Sequence, residues 1–177
     1  MPNALCYVIG YPGSGKSTAM AAAMPDSPSA YITKPFAHTR YGTGLAHLGA
    51  NREQYPGTDG LALNVQPAAI KWMETFRGVV AAEGDRLANA KFFNAALAAG
   101  YRLDVVYIDV PELVSRRRAW RRGSRFDDRW FAGRLTKVQR LVKQFDSHVV
   151  SIDGTLPRGL VAARLREVLD VAGHYGR

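Results

Sequence analysis

The sequence predicts an α/β fold: a parallel sheet with helices on both faces, three layers in all. Three observations predict it. Short apolar runs of strand length recur at Leu5–Ile9, Val79–Glu83, Leu103–Asp109 and Val149–Asp153. Helix-like segments separate them, and that alternation calls for crossover connections between parallel strands. The first such crossover reads Gly10-Tyr11-Pro12-Gly13-Ser14-Gly15-Lys16-Ser17 between a strand and a helix. This is the pattern G-x-x-x-x-G-K-[ST], a loop that cradles phosphates with its backbone. A length of 177 residues fits one domain, 1–177, with a core of real size.

The elements follow in order. Leu5 to Ile9 is a buried strand, and the one cysteine, Cys6, stands in it where a small apolar residue belongs. A lone cysteine excludes a disulfide within the chain. Thr18 to Met24 reads as the helix after the loop. Pro25 to Pro28 reads as a turn, and Ala30 to Thr33 as a short strand. Residues 34–60 mix Gly, Tyr, His and Arg without a sustained period, so a long functional loop or small insertion is expected. Pro67 suits the first turn of a helix running to Phe76, with Ile70, Met73 and Phe76 on one face. Val79 to Glu83 is a second central strand, ending in Gly84-Asp85-Arg86. A helix over Ala88–Ala99 stops at Gly100. Leu103 to Asp109 is another strand, and Pro111 opens a basic helix that reaches Arg122. A polar, arginine-bearing loop is expected over Gly123–Gly133, then a helix over Arg134–Phe145. Val149–Asp153 and Leu160–Val171 supply the last strand and closing helix.

At 47% hydrophobic and 22% charged, the composition is that of a soluble globular protein. No run is long enough to span a bilayer, and the start lacks the basic-then-apolar order of a secretory signal. With the single cysteine, this makes a cytoplasmic setting the expectation. The net charge of +9 is high for an enzyme of small metabolites. It fits an anionic polymer as partner, or equally a general arginine bias of the genome.

Three regions carry the chemistry. In the phosphate loop of Gly10, Tyr11, Pro12, Gly13, Ser14 and Gly15, the glycines let successive backbone N–H groups turn toward a phosphate chain, and the helix N-terminus adds partial positive charge. Lys16 reaches the β- and γ-phosphates, Ser17 can ligate Mg²⁺, and Thr18 completes the nucleotide contact. ATP and Mg²⁺ are therefore the expected cofactors. Ligands bind beyond the carboxyl ends of strands in such sheets, which brings Glu83, Asp85, Arg86 and Asp109 to the same edge. An acid there holds metal or activates an attacking hydroxyl. Glu83 is a candidate for either role and Asp85 for the second, with Arg86 pairing an acid or a phosphate. Asp85 as a helix cap is the plainer alternative.

The second region is the run Arg116, Arg117, Arg118, Arg121, Arg122, Arg125, Arg129 and Arg134. Guanidinium forks suit phosphate oxygens, yet consecutive arginines diverge by about 100° on a helix, so only some can face one ligand. Residues 112–137 are expected to form a lid, with Arg118 on the nucleotide and Arg122 and Arg134 on transition-state charge. The third region, within 34–60, is expected to bind the acceptor through His47, Arg52, Tyr55, Thr58 and Asp59. Tyr55 or Trp72 can stack a base, and Asp59 or His47 can approach a hydroxyl. Which of Asp59, Glu83 and Asp85 is the base stays open.

Further blocks stand out: Leu48-Gly49-Ala50-Asn51-Arg52, Tyr55-Pro56-Gly57-Thr58-Asp59, Ala82-Glu83-Gly84-Asp85-Arg86-Leu87-Ala88-Asn89 and Arg122-Gly123-Ser124, then Trp130, Gly133-Arg134 and Thr136-Lys137. With the phosphate loop, they make the chain resemble the small P-loop kinases of tailed bacteriophages that phosphorylate 5-hydroxymethyluracil within DNA. The resemblance runs from Val8 to about Leu141. It departs at Asn51-Arg52, where two basic residues are expected, and at Arg125–Asp128, where a more polar run is expected. It implies transfer of the γ-phosphoryl of ATP to the hydroxymethyl oxygen at C5, priming further base modification, with DNA as the partner. The alternatives are a kinase of free nucleosides or nucleotides and a DNA-stimulated ATPase.

Overall fold

A computed structural model describes residues 3–42, 44–50, 56–123 and 127–174. Its first strand, β1 (Ala4–Ile9), is buried at every position. Such a strand needs neighbours on both edges and cover on both faces, and it has them. It pairs in parallel with β5 (Val79–Glu83) on one side and β6 (Arg102–Asp109) on the other. The remaining strands are β2 (Ala30–Ile32), β3 (His38–Tyr41), β4 (Leu45–Leu48) and β7 (Val149–Asp153), and the sheet order is β2-β3-β4-β5-β1-β6-β7.

Alternation along β1 divides the core in two. Leu5, Tyr7 and Ile9 pack with residues of α2 (Gln66–Thr75), α3 (Ala90–Ala98) and α5 (Asp128–Gln144). Ala4, Cys6 and Val8 pack with α1 (Lys16–Ala23) and α6 (Arg158–His174). The basic helix α4 (Glu112–Arg121) follows β6. The result is the expected three-layer α/β architecture. No helix among the described residues is long and apolar enough to cross a membrane.

Two expectations need correction. Residues 34–60 are not an aperiodic loop. They contain β3 and β4; β3 runs antiparallel to both β2 and β4, while β4 joins β5 in parallel. The sheet is therefore mixed at that edge. Four-residue strands such as His38-Thr39-Arg40-Tyr41 are too short and polar to show a period, and their pairing comes from the ladder and from Ala46 and Leu48 entering the core. The second correction concerns Gly123–Gly133. Helix α5 already starts at Asp128, capped by the Asp127 carboxylate, which accepts from Arg129 N at 2.7 Å. Gly133 lies inside that helix. Phe131, Val138 and Leu141 bury one face of it, which offsets the glycine penalty.

His47, a candidate acceptor residue, sits in β4 opposite Thr39 and Ala81. Its neighbours Ala46 and Leu48 face α2 and α3, so His47 lies on the opposite face, with Nε2 buried and unpartnered among the described residues. Burial pulls its pKa down to about 4. The folded chain thus refuses a proton that the unfolded chain accepts, and stability falls as pH drops from about 6.5 toward 4. Urea midpoints at pH 7 and pH 5 measure this fall, and His47→Gln is expected to shrink it. Trp72, considered as a base-stacking surface, instead lies in an aromatic cluster, stacked on Phe76 at 4.5 Å and set against Phe36 and His38.

Candidate active site

Where β1 ends, the chain must turn sharply into α1, and glycines make the turn. Gly13 and Gly15 have φ of 90° and 99°, a region that disfavours any side chain. A Cβ on Gly13 would meet Ser115 O at 2.3 Å, so α4 rests directly on the loop. A Cβ on Gly15 would meet nothing within 4 Å, which leaves its backbone open toward the cleft. The Ser14 hydroxyl is buried and has no partner among the described residues. An orphaned donor inside a ring of backbone amides is what a phosphate chain would satisfy. Lys16 Nζ donates to Gly10 O at 2.9 Å and Tyr11 O at 3.0 Å, and burial lowers its pKa against the pull of Glu83.

The metal-ligand candidates meet across the sheet. Ser17 Oγ donates to Glu83 Oε2 at 3.1 Å. Glu83 is only 2% exposed, and burial pushes its pKa up to about 7 although Lys16 opposes the rise. A buried carboxylate beside a hydroxyl at the first turn of the loop helix is an oxygen donor set suited to Mg²⁺, which otherwise keeps its water and phosphate ligands.

A second segment is bolted onto this edge. Thr58 Oγ1 donates to Glu83 O at 2.9 Å. The phenol of Tyr7, fully buried on β1, lies 3.0 Å from Thr58 Oγ1 and donates to Gly84 O at 3.0 Å. Asp59 Oδ1 accepts from Asp85 N at 2.7 Å, and Arg86 reaches Asp59 O at 3.3 Å. Burial raises the Asp59 pKa, opposed chiefly by Lys16. Asp85 does not cap a helix; Asn89 caps α3. Asp85 is instead gripped by Arg134 at one oxygen and by Lys137 Nζ at the other, the latter at 2.6 Å. Lys137 also reaches Asp85 O at 2.9 Å, and burial brings its pKa down to about 8.

The structure thus brings Lys16, Ser17, Thr58, Asp59, Glu83, Asp85, Arg86 and Arg134 to one edge. Arg118, Arg121 and Arg122 line a cleft of about 350 Å³ over the phosphate loop, with Gly13, Ser14, Gly15 and Thr18 in its wall and Gly154 and Leu156 also lining it. Arg118 donates to Gly154 O at 2.8 Å. Arg116 is spent on Glu112, Asp128 and the Phe131 ring. Asp109 accepts from Tyr107 OH and is exposed, apart from the acids just described. Arg52 and Tyr55 lie outside the described residues. Lys137 is the group that residue-by-residue reading missed as a site member, and its signal was its place one helical turn after Arg134. Tyr7 was taken only as part of an apolar strand.

Tyr7→Phe tests the bolt. Losing the phenol leaves Gly84 O buried without its donor, at a cost of about 1–3 kcal/mol. Denaturant unfolding should show that loss, and turnover should fall about tenfold with the KM for ATP unchanged.

The comparisons agree with this geometry. No curated protein matches the chain. Among solved structures, a sugar kinase from Janibacter sp. HTCC2649 superposes with a TM-score of 0.52 at 16% identity, covering 97% of this chain and 96% of that one. A gluconokinase from Sinorhizobium meliloti 1021 superposes with a TM-score of 0.53 at 17% identity, covering 97% and 94%. At such identities the likeness establishes the fold. A family model described as P-loop Nucleotide Kinase3 matches residues 1–155, from β1 through the phosphate loop, both acidic segments and the arginine-rich helices to the end of β7. Sequence, fold and site therefore converge: the chain belongs to the P-loop nucleotide kinase family and is a kinase.

Proposed function

We propose that this kinase moves the γ-phosphoryl of ATP onto the hydroxymethyl oxygen of 5-hydroxymethyluracil in DNA. The observation that carries the phosphotransfer half is the placement of Asp59, an acid with one uncommitted oxygen, beside the Ser17–Glu83 pair. The DNA half draws on the net charge of +9 and on the sequence blocks shared in pattern with phage base kinases. In a duplex the C5 substituent lies in the major groove, and a recessed Asp59 favours a base turned out of the stack.

The division of labour follows from partners. Glu83 is committed to Ser17, and Asp85 to Arg134 and Lys137, so Asp59 is left as the base. Burial raises its pKa, as it does that of Glu83, which favours proton uptake, and it is the partners that single out Asp59. Ser17, with Glu83 in support, would hold Mg²⁺, which would supply neutralisation of phosphate charge. Asp59 takes the proton of the acceptor hydroxyl, the hydroxyl oxygen bonds to the γ-phosphorus, and the β–γ bridging bond breaks to release ADP. Lys16 leaves the Gly10 and Tyr11 carbonyls for the phosphates, and Arg122 and Arg134 face the developing charge. Arg118 belongs to the nucleotide side.

Label transfer from γ-³²P-ATP to hydroxymethyluracil DNA, ordinary DNA and free nucleosides or nucleotides tests the proposal. Label on the modified DNA supports it. Label on a free acceptor alone supports the second reading, a kinase of small hydroxyl compounds, which the recessed position of Asp59 also fits. The sugar kinase and gluconokinase are, by their names, enzymes of that kind. Phosphate release without a labelled acceptor would indicate a DNA-stimulated ATPase.

Glu83→Gln should abolish transfer and yet stabilise the nucleotide-free protein. Between pH 4.5 and about 7 folded Glu83 keeps a proton that the unfolded chain has released, so its contribution to stability declines across that window. Above it, the fold carries a buried carboxylate that glutamine avoids. The melting temperature of the variant should exceed that of the parent at pH 8 and match it near pH 4.5.

A further inference from the structure

Helix α4 is anchored on one side only. Ser115 Oγ donates to Pro12 O at 2.6 Å, Ala119 is buried against Gly13, and Arg118 holds Gly154 O. The other side presents Leu113, Arg117 and Trp120, with Arg121 at its border, where it also lines the cleft over the phosphate loop, all within about 100° of arc. Leu113 is 81% exposed and Trp120 77%. Among the described residues, neither Arg117 nor Arg121 has an acidic partner, whereas Arg116 on the flank has two. A tryptophan set between free guanidinium groups does nothing for the core, and exposing it costs hydrophobic stabilisation.

We infer that this face of α4 is a docking strip for the DNA strand next to the phosphorylated base. The inference rests on the reading of DNA as acceptor. Charge complementarity selects the occupant. Arg117 and Arg121 suit successive backbone phosphates, and the Trp120 ring offers a stacking surface that accepts any base. A second copy of the chain fits poorly, because a two-fold contact would set the arginines of one protomer against those of the other. The strip lies across the same helix from Ser115, whose hydroxyl holds Pro12 of the phosphate loop, so a strand docked there shares one rigid element with the loop.

The test uses the full chain with a short fluorescein-labelled oligonucleotide, containing either 5-hydroxymethyluracil or thymine, read by anisotropy over a salt series. Arg117→Glu and Trp120→Ala change exposed side chains outside the nucleotide cleft. Each should weaken DNA binding about tenfold, and Arg117→Glu should also flatten the salt dependence by about one phosphate contact, with ATP affinity unchanged. Unchanged DNA affinity in both variants overturns the inference. So does a change in sedimentation mass for Trp120→Ala at unchanged DNA affinity, which would make the strip a self-association face. The two readings separate cleanly. A parent protein that binds DNA through the strip but labels only free nucleotides refutes the proposed acceptor and keeps the strip. A parent that labels modified DNA, with variants keeping its KM, refutes the strip alone. A parent with no affinity for DNA refutes both.

Discussion

Asp59→Asn is expected to lower phosphoryl transfer by about 10²–10⁴-fold while ATP binds as before. The substitution is close to isosteric, and asparagine still offers an oxygen to Asp85 N, so the turn that follows Gly57 keeps its anchor. What is lost is the ability to take a proton from an acceptor hydroxyl. Raised pKa values at buried acids mean that removing the charge relieves the fold rather than straining it, and the variant should melt no lower than the parent at neutral pH. Single-turnover transfer and calorimetric ATP affinity, measured together, check this. Equal loss of both would move Asp59 into the nucleotide site and return the base to Glu83.

Lys16→Ala should cost about 10³-fold or more in transfer, the scale reached when a preorganised cation facing the transferring phosphoryl group is removed. Among the described residues its amine donates to two loop carbonyls, Gly10 O and Tyr11 O, which water in the cleft can satisfy. The fold should therefore survive with an unchanged circular dichroism spectrum. Lys16→Arg should not rescue, because a planar fork cannot occupy a space shaped for one ammonium group. An unfolded alanine variant would instead mark Lys16 as a structural residue.

The central strands were readable because burial on both faces leaves no choice but continuous apolar runs, as in Leu5-Cys6-Tyr7-Val8-Ile9. The phosphate loop was readable because its backbone requires glycine at Gly13 and Gly15. β3 and β4 were not, since their pairing is decided by partners distant in sequence and not by their own pattern. The start of α5 was hidden by Gly133, whose propensity argues for a loop until the burial of Phe131 is known. In the site, sequence located the acids but could not rank them. Their partners were not legible either: Lys137 and Arg134 on Asp85, and Ser17 on Glu83, are contacts across the sheet that no local pattern announces. The burial of His47 Nε2 was not legible because a histidine in a half-polar strand looks the same whether it faces solvent or core.

The phenol of Tyr7 fastens two stretches of chain, 57–59 and 83–85, to the strand that itself becomes the phosphate loop. The phosphate loop, Glu83 and Asp59 are thus aligned to one rigid ruler. The antiparallel edge formed by β2, β3 and β4 stands outside that alignment. β4 meets it by its parallel pairing with β5, so the phosphate loop and the two acidic stretches share one support while the antiparallel strands hang from the side of it.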